Sequence, residues 1–184
     1  MIPQLIAKTE DLMKKTIEKF KSELLSIRTG RASISLVENI EVECYNSKMT
    51  LNQLAGFNIL DGRIIEIKPW DVSVLPNIEK SILKSSLGLT PTNDGKIIKL
   101  TIPSLTEERR QELIKMVNKI AETYRVSIRN ERRLALEELK KALKDKKISE
   151  DDEKKAETQL QKLTDNYIKK LEEVLSLKVK EITE

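Results

Sequence analysis

The sequence predicts an α+β protein: a long antiparallel three-helix bundle into which a small α/β domain is inserted. Three observations predict it. Apolar residues recur at a 3.6-residue period over three long stretches, one before and two after the middle of the chain. Between them, from residue 30 to 104, lie all 5 glycines and 4 of the 5 prolines, together with alternating apolar and polar runs. The composition is 35% charged and only 3% aromatic, the balance of exposed helices that each bury a narrow stripe.

The first helix is expected over residues 4–29. Leu5, Leu12, Met13, Ile17, Phe20, Leu24 and Ile27 fall near the helical period, with Lys and Glu between them. Gly30 is placed to end it. In the middle region Ile40-Glu41-Val42-Glu43-Cys44 alternates like a half-buried strand, and so does Ile65-Glu66-Ile67-Lys68 before Pro69. Residues 71–87 read as a helix with Ile78, Ile82 and Leu83 on its apolar face and Asn77 available as an inner cap. Asn93-Asp94-Gly95 signals a turn into a strand over residues 96–102, with Ile98, Leu100 and Ile102 on one side.

Thr106 can cap the second long helix, where Glu107 and Glu108 suit the positive end of its dipole. Leu113, Val117, Ile120, Tyr124, Ile128, Ala135, Leu139 and Ala142 then form one stripe, closed by Lys144-Asp145-Lys146-Lys147. Ser149 starts the last helix, and Asp152 three residues on approximates a capping box. Ala156, Leu160, Leu163, Tyr167, Leu171 and Val174 continue the stripe. The domains are therefore expected as a bundle of residues 1–29 and 105–184 and an insert of residues 30–104. The two single-strand connections, near 29–31 and 103–105, suit a hinge. Gly30 reads equally well as a simple helix stop. A plain coiled coil is the weaker architecture, because the insert carries its own strand and turn signals.

Composition narrows the function. The chain has no histidine, so the usual general base at neutral pH and the commonest metal ligand are missing. One cysteine builds neither a disulfide nor a zinc site, and Cys44 in its alternating run reads as a small apolar residue in a reducing compartment. Neither a Gly-x-x-x-x-Gly-Lys phosphate loop nor a Gly-x-Gly-x-x-Gly fingerprint occurs. The acids of Asp151-Asp152-Glu153 are explained by a helix start and are not read as a metal cluster. No run of 18 apolar residues occurs, and the N-terminus lacks a signal-peptide pattern, so cytoplasm is the expected location. These features point to a binding or remodelling factor and not to an enzyme.

The positive signal is local, since the net charge is only +4. Arg125, Arg129, Arg132 and Arg133 crowd one stretch of the second long helix, about 110° from the centre of its apolar stripe, and should be accessible in a bundle. Like charges at i,i+3 and i,i+4 repel, at about 0.2–0.5 kcal/mol per pair. One reading is a solvated face with local pairs, Arg133 with Glu137 and Glu122 with Arg125. The other is a phosphate-binding stripe. Lysine dominates the basic residues elsewhere, and the concentration of arginine here favours phosphate, which a planar guanidinium contacts with two hydrogen bonds. Arg28 and Arg31 bracket Gly30, where they could bind phosphate or satisfy helix C-terminal carbonyls.

Several segments together resemble the ribosome recycling factor family of bacteria. They are Ile27-Arg28-Thr29-Gly30-Arg31-Ala32-Ser33, Leu87-Gly88-Leu89-Thr90-Pro91, Ile102-Pro103-Ser104-Leu105-Thr106-Glu107-Glu108-Arg109-Arg110 and Val126-Ser127-Ile128-Arg129-Asn130-Glu131-Arg132-Arg133. Lys144-Asp145-Lys146 through Ile148-Ser149-Glu150-Asp151-Asp152 and Gln161-Lys162-Leu163-Thr164-Asp165 fit as well. The resemblance runs over essentially the whole chain, in order. It implies an L-shaped molecule of tRNA-like size whose insert is a β/α/β sandwich-like domain. It implies a factor that binds the large ribosomal subunit and its rRNA after peptide release. With elongation factor G and GTP, such a factor splits the ribosome and frees mRNA and tRNA. It implies rRNA contacts at Arg129 and Arg132, with Arg133 and Arg28 as further members, and a hinge at Thr29, Gly30, Arg31, Pro103 and Ser104. On this reading the chain is a monomer that needs no cofactor, no metal, no DNA and no membrane, the GTP being used by its partner. The competing reading is an RNA-binding adaptor without recycling activity.

The chain departs from the family pattern in places. Leu134 follows the arginine pair where an acid is usual. Glu131 precedes it where an aliphatic residue is usual, and should weaken the local positive field. The first hairpin carries Tyr45-Asn46-Ser47 in place of Tyr-Gly, with Asn able to hold a positive φ.

Overall fold

A stripe of apolar residues and a proline in the first turn set the start of the chain. In the computed structural model, which describes residues 1–184, helix α1 spans Ile2–Leu25, with Pro3 where a missing N–H costs nothing. It buries Leu5, Met13, Ile17, Phe20 and Leu24. Thr9 is buried as well, its hydroxyl donating to the Leu5 carbonyl at 2.8 Å.

The helix stops at Leu25, short of the end expected at Gly30. The amides of Ser26 and Ile27 reach back only three residues, to Glu23 and Leu24, and the Ser26 hydroxyl takes the Glu23 carbonyl at 2.6 Å. Downstream, the last long helix competes for the chain. The buried Lys178 ammonium donates to the Ile27 carbonyl at 3.3 Å, and the buried Thr29 hydroxyl donates to Glu181 Oε1 at 2.8 Å. Lys178 and Glu181 pair with each other at 3.4 Å, which offsets the cost of burying the ammonium. Tertiary partners thus outbid another turn of helix.

Helix α4, named in chain order with the shorter helices below, spans Glu107–Lys144, and α5 spans Glu150–Thr183. At 1.5 Å per residue α4 is about 57 Å long. The Ser149 side chain accepts from the Asp152 amide at 3.1 Å, and Asp152 accepts from the Ser149 amide at 3.2 Å, the expected capping box. Polar pairs along the seams give the helix directions. Lys8 meets Glu138, Thr16 meets Glu131 and Tyr124 meets Glu23, so α1 and α4 are antiparallel. Arg132 meets Gln161 and Arg125 meets Glu172, so α4 and α5 are antiparallel. Glu10 with Tyr167 and Thr29 with Glu181 make α1 and α5 parallel. Small residues at buried positions, Ala121, Ala135 and Ala156, let the helices approach closely, while Phe20 and Tyr124 rings pack at 5.3 Å.

The bundle, residues 1–29 and 107–184, is one unit, and Gly30–Thr106 form a second. In the second unit β1 (Glu41–Cys44) and β2 (Ser47–Thr50) form a hairpin through Tyr45 and Asn46, at φ 50° and 59°. Two consecutive positive φ values in a two-residue loop match the twist of the strands, and asparagine holds the second of them, as expected of it. A capped single turn, α2 (Leu51–Leu54), leads into β3 (Ala55–Leu60) and β4 (Ile64–Pro69). Helix α3 (Leu75–Lys84) follows, then β5 (Thr92–Asn93) and β6 (Ile98–Thr101). The four strands form an antiparallel sheet in the order β3-β4-β6-β5. Ile78 and Ile82 of α3 share one core with Ile65, Ile67 and Leu100 of the sheet and with Val42 of the hairpin. Cys44 is buried in the same core as a small apolar residue.

Two expectations need correction here. The helix expected over 71–87 is shorter, because Asp71 accepts from the Ser73 amide at 2.9 Å and starts a 3₁₀ turn, Val72–Val74. Its far end is closed when Ser85 returns both its amide and its hydroxyl to the Ile82 carbonyl. Asn77 does not cap that helix. Its side-chain amide donates to the Glu43 carbonyl at 2.9 Å and ties α3 to β1.

Replacing Lys178 by Ala should lower unfolding free energy by about 1–2 kcal/mol, since it strips partners from the Ile27 carbonyl and Glu181. Amide hydrogen exchange at Ser26–Thr29 should quicken by more than the global loss explains. Unchanged protection there, measured by mass spectrometry, would show that the contact does not hold this segment.

Candidate nucleic-acid interface

The four arginines of α4 look alike in sequence and span only about 100° of its circumference, yet each has different partners. Arg125 points across to α5. Its Nε and Nη2 donate to the two carboxylate oxygens of Glu172 at 2.5 and 3.0 Å, and Nη1 donates to Glu122 at 2.9 Å. Its side chain is only 19% exposed. The hydrogen bonds to Glu172 push the guanidinium pKa up and hold the Glu172 carboxyl below its ordinary range. Arg125 was expected to be accessible with the other three; it is instead a two-pronged clamp between helices, its charge already neutralised.

The other three share a face. Arg129 is 57% exposed, and its nearest acid is Glu122 at 3.8 Å, a long contact. Arg133 is 61% exposed and is held in a fork by Glu137 and Asn130, each at 2.7 Å. Arg132 is half-buried, with Nη1 donating to Gln161 of α5 and Nε buried without a partner. One guanidinium is thus nearly unpaired, one is steered by local partners and one is anchored from the neighbouring helix. Such a row can meet several phosphates at spacings set by the helix.

Glu131 was expected to weaken this field. It lies about 160° around the helix from Arg129 and turns into the seam with α1, where it accepts from the Thr16 hydroxyl at 2.6 Å. Burial pushes its carboxyl above the ordinary value of 4.5, and its other oxygen is buried without a partner. The departure from the family pattern is taken up inside the bundle and leaves the arginine face as it was.

The remaining candidates fall elsewhere. Arg28 is exposed just beyond the end of α1, about 15 Å along the bundle axis from Arg129 by helical rise, so it is not part of the same patch. Arg31, Pro103 and Ser104 are exposed, and Thr29 is buried. Gly30 has φ +77°, and a Cβ there would meet the Leu105 side chain at 3.0 Å and the Pro103 carbonyl at 3.6 Å. The conformation and the crowding both demand glycine. No group of three His, Cys, Asp or Glu residues is placed to hold a metal ion, and no helix is long and apolar enough to cross a membrane. Glu172, Lys178 and Glu181 escaped the sequence reading, and Gln161 entered it only within a family segment, with no role. Each is an ordinary polar residue on α5, and only the register between helices shows what it touches.

A family model described as ribosome recycling factor matches residues 20–183. The ribosome-recycling factor of Endomicrobium trichonymphae is 53% identical over 173 residues, spanning 94% of this chain and 93% of that protein. That of Desulfotalea psychrophila is 52% identical over 181 residues, spanning 98% of each. That of Heliobacterium modesticaldum is 50% identical over 184 residues, the full length of both. Among solved structures, a solution structure of the ribosome recycling factor superposes with a TM-score of 0.74 at 42% identity, covering 99% of this chain and 97% of that one. A second describes models of the T. thermophilus ribosome recycling factor and E. coli elongation factor G bound to the E. coli post-termination complex. It matches with a TM-score of 0.63 at 42% identity, covering 99% and 98%.

Arg125→Ala should cost about 1 kcal/mol of stability, the scale of a partly exposed pair with good two-pronged geometry. Arg129→Ala should change stability by less than about 0.5 kcal/mol. Urea titrations that gave the reverse order would undo the division into clamp and open cation. Glu131→Gln should be stabilising at neutral pH. The folded-state pKa of Glu131 lies above its unfolded value, so the unfolded chain ionises first and stability is lost as pH rises through 4.5. The advantage of the variant should therefore be absent at low pH, grow through that region and level off; a constant difference at every pH would show that ionisation is not its cause.

Proposed function

The chain belongs to the ribosome recycling factor family, and on that premise we propose that it splits the post-termination ribosome together with elongation factor G and GTP. Splitting frees the subunits, the mRNA and the tRNA after peptide release. The bundle binds the rRNA of the large subunit, while the GTPase partner acts on the smaller unit. The chain itself takes no cofactor, and GTP is bound and hydrolysed by the partner. It acts as a monomer in the cytoplasm, without DNA or membrane.

The observation that carries this reading is an open arginine face on a chain similar from end to end to ribosome-recycling factors. Arg129, Arg132 and Arg133 contact rRNA phosphates, and Arg28 makes a separate contact near the end of α1. One of the similar structures is of a ribosome recycling factor bound with elongation factor G to a post-termination complex, which supports the choice of partners. The physical logic favours the same role. A helix about 57 Å long transmits force with little bending, and multiple seam pairs hold its neighbours in register. Force on one unit acts on the other through two single-strand connections, for which Thr29, Gly30, Arg31, Pro103 and Ser104 form the hinge. The Thr29 hydroxyl bonded to Glu181 holds the bundle side of that connection, so rotation starts at Gly30.

Light scattering of post-termination ribosomes tests the reading directly. Dissociation should require this chain, elongation factor G and GTP together. Ribosome binding without dissociation, in the presence of an active elongation factor, would move the chain to the class of RNA-binding adaptors. Arg132→Ala should weaken large-subunit binding by roughly 10- to 100-fold, the scale of one or two charge-assisted hydrogen bonds. The slope of log K against log salt should fall with each phosphate contact removed. Unchanged affinity at physiological salt would take Arg132 out of the site. Gly30→Val should cost about 1–2 kcal/mol of strain and depress splitting more than binding; equal losses in both would count against a hinge.

A further inference from the structure

Arg132 is held differently from its neighbours. The other arginines of the α4 row meet carboxylates: Arg125 meets Glu172 and Glu122, Arg129 meets Glu122 at long range, and Arg133 meets Glu137. Arg132 instead gives Nη1 to the neutral side-chain oxygen of Gln161 on α5. A carboxylate partner fixes a guanidinium and cancels its charge together. A neutral amide fixes it and leaves the charge in place.

The other end of that amide is also engaged. Gln161 Nε2 donates to Asp165 Oδ1, one turn further along α5, at 2.8 Å. The orientation of the amide follows from its two partners. Its oxygen faces a cation and its nitrogen faces an anion; turned over, it would set donor against donor and acceptor against acceptor. Asp165 therefore orients Gln161, and Gln161 orients the guanidinium. Stability alone does not account for the arrangement. Arg132 Nε is buried without a partner, a cost that a freely hydrated arginine on the outer face would avoid. Gln161 engages only Nη1, and the donors of Nη2 are left for a phosphate oxygen.

Resting on the reading that the α4 arginines contact rRNA, we propose that Gln161 and Asp165 are positioning residues for that contact. They hold Arg132 in the orientation in which it meets a backbone phosphate, and neither touches the RNA itself. A side chain already ordered in the free protein loses less entropy on binding.

The test is binding of the full-length chain to purified large ribosomal subunits, by cosedimentation. Gln161→Met keeps the side-chain length and removes the acceptor. It should weaken binding about 2- to 10-fold, the cost of ordering one long side chain on contact. The slope of log K against log salt should stay as in the parent, because Arg132 still meets its phosphate. Asp165→Ala separates positioning from charge. Removing an acid beside a cationic face would by field alone tighten binding to RNA. Loss of the relay should instead weaken it about 2- to 5-fold, and Asp165→Asn, which keeps an acceptor oxygen, should retain most of the parent affinity. In an Arg132→Ala background neither Gln161→Met nor Asp165→Ala should weaken binding further. In the free chain, nitrogen relaxation at Arg132 Nε should show a more mobile side chain in Gln161→Met than in the parent. Gln161 and Asp165 are both exposed, and circular dichroism checks that each variant is folded. Parent-like binding by Gln161→Met, tighter binding by Asp165→Ala, an Arg132 side chain no more mobile than before, or losses that add to that of Arg132→Ala would each overturn the proposal; the last would make Gln161 a direct contact. These failures leave the recycling reading standing. Unchanged binding by Arg132→Ala would overturn the proposal together with the place of Arg132 in the site, and ribosome splitting would still decide the recycling reading on its own.

Discussion

A helix that carries one narrow apolar stripe cannot bury it alone, and α1, α4 and α5 each carry such a stripe. Burial at about 25 cal/mol per Å² favours bringing the three together, but an apolar stripe is forgiving about axial register. The seam pairs remove that freedom. Lys8 with Glu138, Thr16 with Glu131 and Tyr124 with Glu23 hold α1 against α4, and Arg125 with Glu172 and Arg132 with Gln161 hold α4 against α5. Each is modest by itself. Together they select one register out of those the stripes would allow, and the surroundings of the α4 arginines follow from it.

The same register explains how α4 tolerates four arginines in nine residues. Repulsion among them is relieved unevenly. Arg125 is neutralised by Glu172 and Glu122, Arg133 is steered by Glu137 and Asn130, and Arg132 is anchored through Gln161. Arg129 remains nearly unpaired. The helix thereby keeps its stability while presenting a cationic row in which Arg132 and Arg133 are held by neighbours and Arg129 is open. Glu131 contributes to the inner face of the same turn at some cost in desolvation, and its charge is spent against α1.

The second unit divides its labour between two sides of one sheet. The inner side, with Ile65, Ile67, Ile98 and Leu100, makes the core with α3 and the hairpin. The outer side stays exposed at Lys68 and Lys99. Lys178 and Glu181 of α5 meanwhile hold the chain at Ile27 and Thr29.

The long helices, the capping box at Ser149 and the turn at Asn93-Asp94-Gly95 were legible in the sequence, because each rests on contacts within a few residues; the hairpin at Tyr45-Asn46 came only with the family resemblance, and its second strand was not read. The family was legible for a related reason, since its motifs are local strings in a set order. Strand β3 was not, because Gly56 and Leu60 blur its alternation, and neither was the end of α1, which depends on a lysine and a glutamate some 150 residues away. The distinction between Arg125 as a clamp and Arg129 as an open cation belongs to the tertiary structure alone. Two residues one helical turn apart have the same local chemistry, and only the helix packed beside them, brought there by burial of apolar surface, decides which one is left facing water.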